Sequence, residues 1–315
     1  MFEFSASALP AVYLFVMAAS HSIKRRETVA FYLCISPWII GFLLFVLGPM
    51  LASLWMSFHR WDLLRDPRFI GLANYQRLFR EDPLFWQSLR VTLTYTLLYV
   101  PTELIGGLVL ALLMNQRVRG ISIFRTIFYL PSVLAGVAFV VVWMWLLHPE
   151  AGLVNAFLGL FGIPGPRWLT DPHTALYALW LMSIWGLGRT AIIYLAGLKD
   201  IPLALYEAAA IDGAGQGRSF LSITLPMLTP TIFFNLVLSI ISTFQTFTSA
   251  FVATNGGPLD STLFYVLYIY RNAFQTFQMG YASALAWVLF VIILLLTLLV
   301  VRSARSWVYY GGGSE

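Results

Sequence analysis

The chain has 315 residues, 59% of them hydrophobic and 10% charged, with a net charge of +5 and a mean hydropathy of +0.79. A soluble globule carries about 25% charged residues, so this chain has too few charges to cover itself in water and takes lipid as its solvent. A lone Cys34, four scattered histidines (His21, His59, His148, His173) and two lysines (Lys24, Lys199), neither following a glycine, argue against a disulfide framework, a thiolate or HExxH-type metal centre and a GxxxxGK[ST] phosphate loop.

Residues 1–27 form an N-terminal segment of uncertain type. Its apolar stretch is broken by Pro10, and its basic cluster, Lys24 to Arg26, follows the apolar residues, unlike a secretory signal. An interfacial helix and an additional span both fit it. Crossing a hydrocarbon core of roughly 30 Å takes about 20 helical residues, and six nearly uncharged runs reach that length: Ala30 to Phe58 (within 28–58), Val91 to Asn115, Ile123 to Leu147, Ala175 to Leu198, Thr229 to Ala253, and Met279 to Val301. They are continuous rather than alternating, which predicts an all-α integral membrane protein and not a barrel. Pro37, Pro49, Pro101, Pro131 and Pro230 predict kinks.

The connections set the orientation through their basic residues. One side collects Lys24, Arg25 and Arg26, then Arg117, Arg119 and Arg125, then Lys199 and Arg218, and finally Arg302 and Arg305 ahead of the tail, 303–315. The other side holds Arg167, Arg271 and a loop, 59–90, with six arginines against four acids. The first set marks the cytoplasmic side, which places both termini of the six-span core inside.

Two charges fall within spans, Glu103 in the second and Arg189 in the fourth. Charge at that depth faces protein or water, so the two are expected to pair with each other or with a partner subunit, or to touch the solute. The fifth span carries Asn235, Ser239, Ser242, Gln245 and Thr246. Asn235, Ser239, Ser242 and Thr246 recur at three- or four-residue spacing and share a helical face. That face either packs against other helices or, with Trp185 and Tyr194 of the fourth span, lines a path for a polar solute.

From 219 to 259 the chain has no charge or histidine, and just before that run stands EAAAIDGAGQGRSFLSITLP, Glu207 to Pro226. Pro202 suits a helix's first turn, Leu203 to Ile211 is a good helix, and Gly213 ends it. Ala208, Ala209 and Ala210 give a small-residue surface between Glu207 and Asp212. Gly215 and Gly217 follow, and then a second short helix runs through Phe220, Ile223 and Leu225 to Pro226. The segment is shaped for docking and not for catalysis.

This string resembles the EAA motif of permease subunits in binding-protein-dependent ABC importers, matched at Glu207, Ala208, Ala209, Asp212, Gly213, Ala214, Phe220, Ile223, Leu225, Pro226 and Pro230. GLANYQRLF (Gly71 to Phe79), FRTIFYLP (Phe124 to Pro131), LAGLKDIP (Leu195 to Pro202), NGGP (Asn255 to Pro258) and MGYASA (Met279 to Ala284) are similar to the carbohydrate branch, the maltose and glycerol-3-phosphate type of permease.

The resemblance implies a type-1 importer transmembrane domain over 88–302, with the coupling loop at 200–226. It also implies a second homologous permease, an extracytoplasmic solute-binding protein, and a partner ATPase dimer that binds ATP and Mg, leaving this chain without a cofactor or enzymatic activity of its own. Glu207, Ala208, Ala209, Asp212, Gly213, Ile223, Leu225 and Pro226 are then the ATPase contact, in a prokaryotic cell membrane. The alternatives are an importer for another small polar solute, an ion-coupled secondary transporter, which wants several intramembrane acids and inverted repeats, and a membrane-embedded enzyme, which wants clustered His, Asp or Glu.

Overall fold

The structure, a computed structural model, describes residues 27–116, 118–134 and 136–309. The N-terminal segment up to Arg26, including Lys24 and Arg25, lies outside the described residues, as do Arg117 and the last residues of the tail. Contacts divide the chain into two units, Met1–Met56 and Ser57–Glu315.

Helix α1, Glu27–Ser57, is long and apolar enough to span a membrane, and most of its large apolar side chains are exposed. Pro49 has no N–H to give the helix, and just ahead of it Leu43–Leu47 winds as a π-turn.

In the second unit the loop expected over 59–90 is largely ordered. A two-stranded antiparallel pair, β1 (His59–Arg60) and β2 (Arg68–Phe69), precedes the amphipathic helix α2 (Ala73–Arg80), which turns Asn74 and Leu78 inward. The second span begins earlier than its apolar run. Helix α3 covers Pro83–Met114 because Asp82 caps it, accepting from the amides of Leu84 and Phe85, with Pro83 in the first turn.

The third run divides into α4 (Ile121–Val133) and α5 (Gly136–Leu146), interrupted at Leu134, whose backbone is extended after Pro131. A short helix, α6 (Leu153–Gly159), follows it. The fourth run divides into α7 (Ala175–Ile184) and α8 (Gly188–Lys199), bent by 42°. The close seat of α8 against α4 needs Gly188, because a Cβ there would come within 2.0 Å of the Phe128 carbonyl oxygen.

Helix α9 is Leu203–Ile211, and a helical stretch follows over 216–227 with a π-turn at Phe220–Thr224. The fifth span is α11 (Thr229–Phe244) and α12 (Thr248–Ala253), with the stretch 216–227 counted as α10. After the NGGP turn come α13 (Tyr265–Tyr270) and the final span α14 (Met279–Trp307). Four spans meet the length and hydropathy of a crossing on their own, the fifth with a short break between α11 and α12, and the two bent pairs complete six.

Two apolar clusters organise these helices. One lies at the end of α3 nearest α2 and gathers Phe85, Tyr95, Leu179, Phe264, Tyr265 and Leu285. The other lies at the opposite end, around Ala111, Met114, Tyr194, Leu198 and Leu228, with Tyr206 and Ile223 of the 200–226 loop, and Met227 just beyond it, packed on it. A polar knot ties the first end. Asp82 accepts from the hydroxyls of Tyr268 and Tyr281, Thr92 accepts from the Tyr265 amide at 3.0 Å, and the Tyr265 hydroxyl donates to the Leu285 carbonyl at 3.0 Å. Burial and the Asp82 carboxylate push the Tyr268 hydroxyl up to about 12, so it stays a donor at neutral pH.

Candidate functional site

The 200–226 loop is built as a helix, a turn and a helix, with the first helix over the residues its sequence predicts. The Ala214 amide donates to the Ala209 carbonyl at 2.8 Å and the Gly213 amide to that of Ala210 at 3.1 Å, the paired bonds of a Schellman cap. Gly213 takes the left-handed conformation this cap requires, at φ +76°, and a Cβ on it would meet nothing. Tyr206 of α9 and Thr224 of α10 share a hydroxyl hydrogen bond of 2.8 Å, which fixes the two limbs to each other.

The predicted contact residues therefore divide. Glu207, Ala208, Asp212 and Gly213 are exposed and Ala209 is half-buried. Ile223, Leu225 and Pro226 are half-buried, and Ile223 packs toward the cluster around Leu198. The face also exposes apolar side chains that a free surface does not favour, Ile211 at 87% and Leu221 at 63%.

A second set of residues surrounds two cavities in the bundle. The inner one, nearer the loop, has about 200 Å³ and is lined by Glu103, Arg189, Thr190, Asn235, Ser239, Ser242 and Gln245 among others. The pairing expected between Glu103 and Arg189 does not form. Among the described residues the ion pair is Arg271 with Asp260 at 3.1 Å, outside the spans. Glu103 instead accepts from two hydroxyls. Thr190 of α8 donates to Oε1 at 2.6 Å, and Ser239 of α11 donates to Oε2. Small donors on the neighbouring helices reach the carboxylate, whereas Arg189 is exposed on the cavity wall. Asn235 is buried, and its Nδ2 makes no hydrogen bond of ordinary geometry.

The outer cavity has about 370 Å³ and is lined by Tyr95, Tyr99, Phe139, Ser183, Ser242, Gln245 and Thr246, among others. Ser242 and Gln245 thus belong to both cavities. The expected continuous fifth span is interrupted here, with α11 ending at Phe244 and α12 starting at Thr248. Broken backbone at membrane depth is tolerated where it lines a cavity. Thr246 therefore lies off the helix whose face it was expected to share, yet still reaches the cavity.

Trp185 and Tyr194 are placed by packing. Trp185 is exposed and stacks at 5.6 Å on Phe139, which lines the outer cavity, and Tyr194 is buried against α3 near Gly107. Sequence reasoning passed over Thr190, Tyr95, Tyr99 and Ser183. Tyr95 and Ser183 share a hydrogen bond of 2.6 Å, a pairing between distant chain segments that no periodicity announces.

With this geometry in place, comparison with known proteins is informative. Residues 103–308 match the family described as the binding-protein-dependent transport system inner membrane component. The chain belongs to this family. A relative in Bacillus subtilis (strain 168), named "Probable ABC transporter permease protein YesP", is 47% identical, covering 95% of this chain and 97% of its own. The trehalose/maltose transport system permease protein MalF of Thermococcus litoralis is 33% identical over 90% and 96%. Among solved structures, a bacterial alginate ABC transporter in complex with an alginate pentasaccharide-bound periplasmic protein superposes with a TM-score of 0.79, at 27% identity, over 90% of this chain and 96% of its own. The permease is thus a multi-pass membrane subunit of an ABC importer with the type-1 fold.

Proposed function

We propose that this permease moves a sugar or sugar-like solute into the cell, driven by ATP that a partner ATPase dimer hydrolyses and transmits through the 200–226 loop. The observation that carries the coupling is the loop's exposed face. Glu207, Ala208, Ala209, Asp212 and Gly213 present small side chains and two acids around an open left-handed turn, beside exposed Ile211 and Leu221. Ile223, Leu225 and Pro226 hold its base on the inner cluster and at the entry to α11. ATP and Mg belong to the ATPase and not to this chain.

The sugar reading draws on the two relatives with saccharide names and on the lining of the outer cavity. Hydroxyls and amides at Ser183, Ser242, Gln245 and Thr246 beside the rings of Tyr95, Tyr99 and Phe139 suit a polyol with an apolar face. Further partners are a second homologous permease and an extracytoplasmic solute-binding protein, the latter supported by the periplasmic protein bound to the alginate importer. Both termini of the six-span core face the cytoplasm.

An importer for another small polar solute shares the loop and stands as the alternative. An ion-coupled carrier is disfavoured by Glu103, the mid-span acid, whose oxygens are already taken by Thr190 and Ser239. The test reconstitutes the permease pair with its ATPase and binding protein and measures ATP-dependent uptake of labelled mono- and oligosaccharides against amino acids. Saccharide uptake that needs ATP is expected. Uptake of amino acids alone defeats the sugar reading, and ATP-independent uptake defeats the whole proposal.

A further inference from the structure

Glu103 sits on α3 and holds one hydroxyl from each of two helices: Thr190 of α8, which leads into the 200–226 loop, and Ser239 of α11, which leads out of it. We infer that Glu103 is a positioning residue, a clasp that makes the inner cavity follow the loop by holding α8 and α11 to α3. This inference rests on the coupling reading of the loop.

Three observations support it. First, the carboxylate lies within a span and makes no ion pair among the described residues, so the two hydroxyls are the donors that hold it, and bonds to a carboxylate are the stronger kind. Second, at this point the backbone of α3 lies close against the side chains of Thr190 and Leu187. A Cβ on Gly107, one turn along α3, would lie 2.9 Å from the Thr190 Cγ2, and one on Gly106 would lie 2.7 Å from the Leu187 Cδ1. Helices this close transmit displacement as a unit where packing is tight. Third, the same Glu103, Thr190 and Ser239 wall the inner cavity with Asn235, Ser242 and Gln245. A relative shift of α8 or α11 therefore changes the hydrogen bonds and the width of that cavity together.

The clasp differs from a solute contact in what its loss does. Removing a solute contact weakens affinity and leaves the nucleotide-driven motion of the cavity. Removing the clasp leaves the loop responsive to nucleotide while the cavity no longer follows.

The experiment uses the assembled transporter in proteoliposomes, with Cys34→Ser as background. It reads the rate at which a charged methanethiosulfonate modifies Gln245→Cys in the cavity and, separately, Leu221→Cys in the loop, with and without Mg-ATP and vanadate. With Glu103 intact, both positions respond to nucleotide. In E103A the response at Gln245→Cys falls at least about tenfold, the ratio that even one of the two lost charge-assisted hydrogen bonds is worth, while the response at Leu221→Cys persists. E103Q, which keeps the volume, and the single variants T190V and S239A each show the same selective loss in part, and they supply the reading if E103A does not assemble.

A cavity response in E103A and E103Q equal to that with Glu103 intact overturns the clasp, as does equal loss at both positions. Absence of any response at either position with Glu103 intact instead overturns the coupling reading itself.

Discussion

Gly213 does two things that a substitution can separate. It adopts a left-handed backbone that completes the cap of α9, and it leaves open space where a side chain would stand. Asn tolerates the same conformation at modest cost, whereas a β-branched residue adds about 1–2 kcal/mol of strain and bulk on the exposed side. Gly213→Val is therefore expected to insert and co-purify with its partner permease yet lose the solute-stimulated part of the ATPase rate. Gly213→Asn should keep the turn while placing a side chain on the face, so its loss of stimulation isolates docking from folding. A Gly213→Val transporter with full stimulation would remove the loop from the coupling route.

Asp82 is the counterpart at the other end. It caps α3 and accepts from Tyr268 and Tyr281, so D82A should lower stability by about 4–8 kcal/mol, the sum of a cap and two bonds to a charged acceptor. D82N, which keeps the capping oxygen, should lose less. Thermal unfolding of the detergent-solubilised permease checks both, and equal melting temperatures for D82A and the unmodified chain would contradict the knot. Asp82 was visible in the sequence only as one acid in an arginine-rich loop. Its tyrosine partners are nearly two hundred residues away in the chain, so nothing local identifies them.

At the level of elements, the apolar runs and the loop's helix, turn and helix were legible because lipid demands length and hydropathy, and caps demand particular residues. The breaks within spans were only partly legible. Pro131 and Gly136 flank the interruption at Leu134, and Gly186 and Gly188 flank the bend between α7 and α8, so punctuation was present in both. The break at 245–247 has neither glycine nor proline to announce it. Glu103 was recognisable as costly, but its partners were not, since hydroxyls on two other helices carry no signature.

The glycines of the bundle make a paired prediction. Gly188→Ala drives a methyl into the Phe128 backbone and should sharply reduce the yield and melting temperature of the permease. Gly136→Ala meets the Thr248 side chain at an ordinary 3.5 Å and should leave both close to unchanged. Similar yields for the two variants would mean that α4 and α8 do not approach as described.

For the whole molecule, the six-span arrangement places the connection before α4 and the 200–226 loop on one face and the NGGP turn on the other. In the Cys34→Ser background, Ser122→Cys and Ile211→Cys should label from one side of intact vesicles and Leu259→Cys, 87% exposed, from the opposite side. Labelling of all three from one side would break the arrangement. The carboxyl-terminal end of α3 supports it from within, since Arg125 donates to the Met114 carbonyl at 2.6 Å, where a cation also suits the helix dipole.

The Asp82 knot also has a kinematic consequence. It pins α3, α13 and α14 together at the end farthest from the loop, so under the coupling proposed above a push at the loop would tilt α3 about that pin. Glu103 lies about 30 Å from the pin along the helix and Tyr95 about 20 Å, so Glu103 sweeps roughly half again as far for the same rotation. On that reading the permease is a door hinged on its outer edge: Glu103 at the inner chamber swings farthest, while Tyr95 at the outer one moves about two-thirds as far.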